Sequence, residues 1–369
     1  MARGTPGRTG FTSGSLPEAD ISLQWRAAIG LPDTDRGSLS ASSPIVGEGL
    51  VVVADSRRVH AYSVSTGELE WRSDPVAPTF YDSLYEYEAN TAAPAIGPDG
   101  TVVVPSEDGL FGLAAADGAI EWAVTDLRNV GPPAIADGTV LAQGRETVVA
   151  LDVGGSERWR RSVSRGEEPT PPALGPEAVV ASTESGLRGF DPATGEERWS
   201  SDQRTESGPV LDGGICLVGN TGGLYALDAR SGAERWSFSR GDYRALLSPV
   251  VAPDTIYAVE QPGEAGAASF ALDRTDGEPE PRWCSYIGSG SVAAATAEIA
   301  LGILSIGEGP DAAQGIVGFS APLGDSLWAI EGGSRPRDWV TPPAILDGAV
   351  IATTRGGTVA AISGAGADA

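Results

Sequence analysis

Few residues in this chain have the side chains that metal centres, catalytic triads and disulfide frameworks require. Its 369 residues include one histidine, His60, and two cysteines, Cys216 and Cys284. A single imidazole makes a histidine-based metal centre or a Ser-His-Asp triad hard to build. The two cysteines belong to different predicted strands, so we expect two buried thiols and no disulfide framework. The sequence therefore predicts no metal site and offers no catalytic residue.

Lysine is absent, and the balance of charge is strongly acidic. All 25 basic residues are arginine, against 50 acidic residues, and the formal net charge at pH 7 is -25. This charge disfavours nucleic acid and anionic membrane surfaces as partners. Acid excess without lysine suggests a halophilic protein, because high salt screens the self-repulsion of an acidic surface.

Long hydrophobic runs are also missing. No apolar run reaches the length of a membrane span, and the N-terminus lacks the apolar core of a signal peptide. Residues 1–19 are mostly Gly, Ser, Thr, Pro and Arg. This composition predicts a flexible tether ahead of the folded part of the chain.

A unit that ends in tryptophan recurs along the whole chain. In its clearest copy, residues 224–236 (LYALDARSGAERW), a strand is followed by a tight turn and a second strand. The eight tryptophans that define the series are Trp25, Trp71, Trp122, Trp159, Trp199, Trp236, Trp283 and Trp328. They lie roughly 40 residues apart, a period that indicates a repeat architecture. We expect them to fill the gaps between neighbouring sheets.

Each unit contains four short apolar segments separated by Gly- and Pro-containing turns, which is the signature of a propeller blade. The last unit ends near Ile362 without a tryptophan strand, whereas Trp25 has no earlier strands of its own. We therefore predict an all-β, eight-bladed β-propeller of four-stranded antiparallel blades, in which the N-terminal strand completes the last blade. The propeller is expected to span 20–363 as a monomer, with a disordered tail at 364–369.

The pattern small-x-(Asp or Ser)-x-x-(Thr or Ser)-Gly-x-x-x-Trp, present in 61–71, 189–199 and 226–236, resembles the tryptophan-docking motif of the PQQ-like β-propeller repeat family. That family includes quinoprotein alcohol dehydrogenases and the lipoprotein scaffold of the outer-membrane β-barrel assembly machine. The dehydrogenases hold PQQ over the ring with calcium, an Asp base and usually adjacent cysteines. This chain has no Cys-Cys pair and no Glu, Asn and Asp set that matches their calcium ligands. We therefore expect no PQQ and no other cofactor.

The connections from one blade to the next vary most in length, and they share a rim with the turns between second and third strands. Variable loops on a rigid scaffold often carry function, and aromatic residues and arginine are favoured at interface hot spots. The candidate binding residues on this rim are Tyr81, Tyr85, Tyr87, Arg128, Arg204, Tyr243, Arg244, Arg337 and Trp339. The alternative is a set of solvated loops whose arginines balance nearby acids.

These features favour a non-catalytic binding or assembly scaffold that presents the loop-rich rim to a protein or peptide partner. Two alternatives remain open. One is a PQQ-dependent dehydrogenase with its substrate above the central channel. The other is a surface polysaccharide- or polymer-binding module that stacks sugars on the Tyr81–Tyr87 loop. The resemblance and the polar N-terminal segment favour a cell-surface location.

The acidic, lysine-free composition predicts that salt stabilises the folded protein. We expect the melting temperature to rise between dilute buffer and molar KCl, because screening weakens the repulsion among acidic side chains. Circular dichroism melts over a series of KCl concentrations measure this shift. A melting temperature indifferent to KCl would contradict the halophilic adaptation.

Overall fold

The computed structural model describes residues 8, 10–29, 41–78, 91–163, 170–205, 207–239, 246–263, 266–275, 277–285, 292–306, 313–331, 341–354 and 357–364. Within these ranges the strands form eight four-stranded sheets. The sheets confirm the predicted all-β, eight-bladed propeller. No helix among the described residues is long and apolar enough to cross a membrane.

The first strand, β1 (Ile21–Ala28), belongs to the last blade, and blades 1 to 4 follow it in chain order. Blade 1 contains β2 (Ile45–Gly47), β3 (Leu50–Ala54), β4 (Val59–Ser63) and β5 (Leu69–Arg72). Blade 2 contains β6 (Ala95–Ile96), β7 (Thr101–Ser106), β8 (Gly109–Ala114) and β9 (Ile120–Val124). Blade 3 contains β10 (Ala134–Ala136), β11 (Thr139–Gln143), β12 (Thr147–Asp152) and β13 (Glu157–Ser162). Blade 4 contains β14 (Ala173–Leu174), β15 (Val179–Thr183), β16 (Gly186–Phe190) and β17 (Glu197–Ser201).

Blades 5 to 8 complete the ring. Blade 5 contains β18 (Val210–Asp212), β19 (Ile215–Asn220), β20 (Gly223–Asp228) and β21 (Glu234–Phe238). Blade 6 contains β22 (Leu246–Val251), β23 (Thr255–Gly263), β24 (Gly266–Asp273) and β25 (Glu280–Ser285). Blade 7 contains β26 (Val292–Ala295), β27 (Ile299–Ile306), β28 (Ala313–Ser320) and β29 (Ser326–Glu331). Blade 8 contains β30 (Ala344–Leu346), β31 (Ala349–Thr353), β32 (Thr358–Gly364) and β1.

The ring closes through the two ends of the chain. In blades 1 to 7 the strands pair in chain order, and the first strands of successive blades meet around the central channel, as β2 contacts both β6 and β30. In blade 8, β1 pairs with β32 from Ile21–Gly364 to Ala28–Thr358. This pairing confirms that the N-terminal strand completes the last blade, and it leaves no long strand edge between first and last blades. Gly364, expected in the tail, is the last residue of β32.

The hydrophobic core lies between the blades. The second strand of a blade is buried on both faces, as Val51, Val52 and Val53 in β3 show. Burial on both faces explains the continuous apolar runs of the sequence. Each core cluster takes residues from two neighbouring blades; Val103 of blade 2, for example, shares a cluster with Val140 of blade 3. A single blade therefore cannot bury its apolar faces alone.

A tryptophan on the outer strand of each blade lies opposite a small residue on the third strand. These pairs are Ala61–Trp71, Gly112–Trp122, Ala150–Trp159, Gly189–Trp199, Ala226–Trp236, Ala271–Trp283, Gly318–Trp328 and, in blade 8, Ala361–Trp25. The indole leaves little room at this position. A Cβ atom built on Gly112 would lie 2.0 Å from Cε2 of Trp122.

The same tryptophan reaches beyond its own blade. Seven of the eight indoles donate Nε1–H to a carbonyl oxygen outside their blade, as Trp199 donates to Ala229 at 2.9 Å. Ala229 belongs to the turn between the third and fourth strands of the next blade. In that turn Gly232 has a φ of +70°, and a Cβ there would lie 2.5 Å from Cε3 of Trp199. The small residue, the turn glycine and the tryptophan of the repeat thus form one contact between neighbouring blades.

Two of these contacts depart from the pattern. Blade 8 has no turn between its third and fourth strands, and Trp328 donates to the carbonyl of Pro17, before β1, at 3.0 Å. In blade 6 the turn is longer, and a Cβ on its Gly277 would meet nothing within 4 Å. The preceding tryptophan, Trp236, has a buried Nε1 with no hydrogen-bond partner in the described part of the chain.

Residues 10–19, part of the segment 1–19 for which composition predicts a flexible tether, lie against the ring; residues 1–7 and 9 lie outside the described residues. The amide of Thr12 donates to Ala295 at 3.0 Å, and the amide of Ala295 donates to Gly10 at 2.9 Å, so this segment bonds to the end of β26. Composition indicated a tether because the segment has few apolar residues. Backbone hydrogen bonds, which composition does not reveal, hold it in place.

The missing hydrogen bond of Trp236 provides a matched comparison with Trp199. Both side chains are buried, with exposed fractions of 6% and 8%, so replacement by phenylalanine should remove similar packing. Trp199→Phe also removes the bond to Ala229, and such a bond contributes about 0.5–1.5 kcal/mol net. We expect urea denaturation to show a loss about 1 kcal/mol larger for Trp199→Phe than for Trp236→Phe. Equal losses would contradict the docking role of Nε1.

Candidate functional site

The loop-rich face is the rim formed by the connections between blades and by the turns between second and third strands. Its best-described connection is 128–131, which links blade 2 to blade 3. The amide of Asn129 donates to Glu107 in the turn of blade 2 at 3.0 Å. The amide of Arg145, in the turn of blade 3, donates to the carbonyl of Arg128 at 3.0 Å. Backbone hydrogen bonds to two blades therefore fix this connection.

Arg128 extends from this fixed backbone into solvent. Its side chain is 68% exposed, and its Nη1 lies 2.6 Å from Oδ1 of Asp108. An exposed ion pair of this kind typically contributes 0–1 kcal/mol. The guanidinium is therefore available to another carboxylate at little cost.

Arg204 lies in the connection between blades 4 and 5 and is also exposed. Its carbonyl accepts a hydrogen bond from Nδ2 of Asn220 at 3.0 Å, and the same amide group lies 3.3 Å from Oε1 of Gln203. Asn220 ends the second strand of blade 5. Here too hydrogen bonds hold the backbone, while the exposed arginine side chain has no partner among the described residues.

The structure places two of the nine candidate binding residues. Arg128 and Arg204 both lie on the loop-rich face but in connections two blades apart, so the structure does not bring them together. The other seven candidates lie outside the described residues; they are Tyr81, Tyr85, Tyr87, Tyr243, Arg244, Arg337 and Trp339.

Arg8, which the sequence gave no reason to select, lies buried at the channel. Only 6% of it is exposed. Its Nη1 donates to the carbonyls of Pro171 and Pro209 at 3.1 Å each, and its Nη2 donates to Ser207 at 2.9 Å. These carbonyls precede the first strands of blades 4 and 5, at the loop-rich end of the channel. The guanidinium therefore ties the N-terminal segment to two blades.

The described part of the N-terminal segment lies beside the central channel. Arg8 bonds to blades 4 and 5, whereas Gly10 and Thr12 bond to Ala295 of blade 7. A Cβ built on Gly10 would lie 3.1 Å from Val250 of blade 6, so residues 8 and 10–12 lie against the first strands of successive blades around the channel.

The single histidine, His60, is buried and hydrogen-bonded to Asp55. His60 Nε2 lies 2.8 Å from Oδ2 of Asp55, and both side chains are 4% exposed. Burial acts to raise the pKa of Asp55, but the hydrogen bond with His60 and those from the amides of Arg57 and Arg58 hold that pKa below its usual value. Asp55 therefore stays ionised and fastens the turn that follows β3.

The comparisons with known proteins agree with this architecture. The family model described as outer membrane protein assembly factor BamB matches residues 16–186 and 183–368. The chain belongs to this family of PQQ-like β-propellers. A search of the curated proteins found no match to the sequence.

Several solved structures share the BamB-type fold. BamB from Moraxella catarrhalis matches with a TM-score of 0.65 at 16% identity, over 94% of this chain and 98% of that one. The quinohemoprotein alcohol dehydrogenase ADHIIG from Pseudomonas putida HK5 matches with a TM-score of 0.68 at 14% identity, over 98% of this chain and 80% of that one. A europium-containing methanol dehydrogenase matches with a TM-score of 0.65 at 13% identity, over 96% of this chain and 88% of that one. At these identities the likeness shows the fold alone.

Quinoprotein enzymes share this fold, and PQQ with calcium would need a group of ligating side chains at the channel. Within the described ranges no three His, Cys, Asp or Glu side chains are grouped to hold a metal ion. Cys216 is buried, which raises the pKa of its thiol to about 12. Cys284 lies in another blade and is exposed, contrary to our expectation of two buried thiols. With Arg8 and residues 10–12 beside the channel as well, the described residues do not fit PQQ.

The contacts of Arg8 predict that its removal weakens the ring. Arg8→Ala leaves three carbonyl oxygens without this charged donor, and a hydrogen bond to a charged group contributes about 1.5–3 kcal/mol. We expect urea denaturation to show a loss of about 2 kcal/mol in the free energy of unfolding.

Arg204→Ala is the matched control for Arg8→Ala. It removes an arginine whose exposed side chain makes no bond to the channel, so the free energy of unfolding should change little. Equal effects of the two substitutions would contradict a fastening role for Arg8.

Proposed function

We propose that this protein is a non-catalytic assembly scaffold whose loop-rich face holds a protein or peptide partner. The observation that carries the proposal is the geometry of residues 128–131, where a fixed backbone presents the exposed side chain of Arg128. The description of the family model, an assembly factor, supports it. The poor fit of the described residues to PQQ disfavours the dehydrogenase alternative.

A fixed backbone favours association because less conformational entropy is lost when a partner docks. The guanidinium of Arg128 carries five N–H donors in a planar fork that matches a carboxylate. It can exchange the carboxylate of Asp108 for one of the partner, since the exposed pair contributes little to stability. Arginine is also among the residues most enriched in interface hot spots.

A photoreactive amino acid at position 128 should crosslink to a defined partner in the native cells. A second probe at position 204 should capture the same protein, because both positions lie on the loop-rich face. With the captured protein purified, Arg128→Glu should weaken binding about tenfold, the effect of losing roughly 1.4 kcal/mol at a hot spot. Titration calorimetry in molar KCl measures this change.

Position 194, in the turn between the third and fourth strands of blade 4, is the matched control. It lies on the opposite face and is exposed, so a probe there should not capture the same protein. Equal capture at 128 and 194, or an unchanged affinity of Arg128→Glu, would overturn the proposal. Saturable binding of PQQ in calcium, with dye-coupled oxidation of alcohols, would favour the dehydrogenase instead.

A further inference from the structure

The residue before the outer-strand tryptophan differs in charge around the ring, and in blades 7 and 8 it is uncharged (Leu327 and Gln24). In blades 3 to 6 it is an arginine that bonds within its own blade; these residues are Arg158, Arg198, Arg235 and Arg282. In blades 1 and 2 it is a glutamate, Glu70 or Glu121. Neither glutamate makes an ion pair or a side-chain hydrogen bond with any described residue. The sign of the charge at this position is therefore reversed in two neighbouring blades.

Guanidinium groups cover the junction between blades 4 and 5. Arg230, in the turn between third and fourth strands of blade 5, pairs with Glu177 of blade 4 at 3.1 Å. Arg198 of blade 4 donates to the carbonyl of the same Glu177 at 2.6 Å. Blade 2 has Ala116 at the turn position that Arg230 occupies in blade 5. The junction between blades 1 and 2 therefore lacks both covering arginines.

A groove of about 460 Å³ opens at the junction between blades 1 and 2. Apolar residues, including Leu50, Trp71 and Ala115, line part of it. Its acidic lining residues are Glu48, Glu70, Asp99 and Glu121. None of the four forms an ion pair within the described ranges. The groove thus combines apolar surface with four carboxylates that lack a cationic partner.

Exposed apolar side chains occur in the two blades that form the groove and in the two blades before them in the ring. Among the described residues, the large hydrophobic side chains that are exposed all belong to blades 7, 8, 1 and 2; they are Leu23, Leu69, Ile120, Leu323 and Leu327. Leu69 and Ile120 directly precede the two groove glutamates. In blades 3, 4 and 5 the equivalent position is glutamate. Leu69 and Ile120 therefore add exposed apolar side chains beside Glu70 and Glu121 in the chain.

We propose that the groove between blades 1 and 2 docks a segment of a partner protein that carries arginine or lysine between apolar residues. The basic side chain takes the place that Arg230 and Arg198 occupy at the junction of blades 4 and 5. The flanking apolar residues cover Leu69 and Ile120. Charge complementarity with four carboxylates that have no cationic partner among the described residues selects a basic segment over an acidic one, although Asp99 also accepts hydrogen bonds from Thr101. This surface lies opposite the loop-rich face, so it is independent of the function proposed above.

The test uses a fluorescein-labelled peptide of alternating leucine and arginine, and a second peptide with glutamine in place of each arginine. Fluorescence anisotropy with the full chain should show saturable binding of the arginine peptide and at least tenfold weaker binding of the glutamine peptide. Ala116→Arg introduces the side chain that blade 5 has at this turn. It should weaken binding of the arginine peptide at least tenfold, because the groove is then occupied and its carboxylates are paired.

Ala193→Arg is the matched control, because Ala193 is exposed at the same turn position in blade 4. The affinity of Ala193→Arg for the arginine peptide should remain within twofold of that of the unmodified protein. Circular dichroism melts should show that Ala116→Arg and Ala193→Arg are both folded. Glu121→Gln, a nearly isosteric change, should weaken binding several-fold with the melting temperature unchanged. The proposal fails if the glutamine peptide binds as tightly as the arginine peptide, or if Ala116→Arg and Ala193→Arg bind alike.

Discussion

The ring depends on the contact that each tryptophan makes with two blades at once. The indole covers a small residue in its own blade, and in the usual case it bonds to a carbonyl in the next blade and covers a turn glycine there. Trp159 is typical, with Nε1 2.8 Å from the carbonyl of Pro192 and its rings against Gly195. Because one blade cannot bury its apolar faces alone, these junctions couple the blades into one folding unit.

The two exceptions show how the structure keeps this coupling where the repeat is interrupted. At the closure, Pro17 supplies the carbonyl that a turn would supply, immediately before β1 completes the blade. Between blades 5 and 6, Nε1 of Trp236 has no hydrogen-bond partner among the described residues, and Arg274 forms an ion pair with Asp212 of blade 5 at 2.5 Å. Arg274 lies in the turn between the third and fourth strands of blade 6. A charged contact therefore joins these two blades, where the described residues show no hydrogen bond from the indole.

The fold could be predicted from the sequence because each junction repeats the same three requirements, a small residue, a turn glycine and a tryptophan. The buried position of Arg8 could not be predicted, because its three acceptor carbonyls lie 163 to 201 residues away in sequence. They come together only in the folded ring. The exposure of Cys284 also depends on its place at the outer edge of a blade. Arg128 was predicted as a loop residue, but its fixed backbone is visible only in the structure. The groove had a signal in the sequence, since aligning the repeats shows Ala116 in place of Arg230.

Charge is arranged unevenly on this acidic protein. In blades 3 to 6 arginines neutralise acids at contact distance; the bonds from Arg235 and Ser231 lower the pKa of Asp228 to about 2. Its contribution to stability is thus fully present above the unfolded value of about 3.9 and is lost only as pH falls towards 2. At 1 M salt the screening length is about 3 Å, so distant charges exert little attraction. At that salt concentration a partner must be recognised by close contact and apolar burial. The connection 128–131 offers a close contact through Arg128, and the groove between blades 1 and 2 offers apolar surface beside its carboxylates.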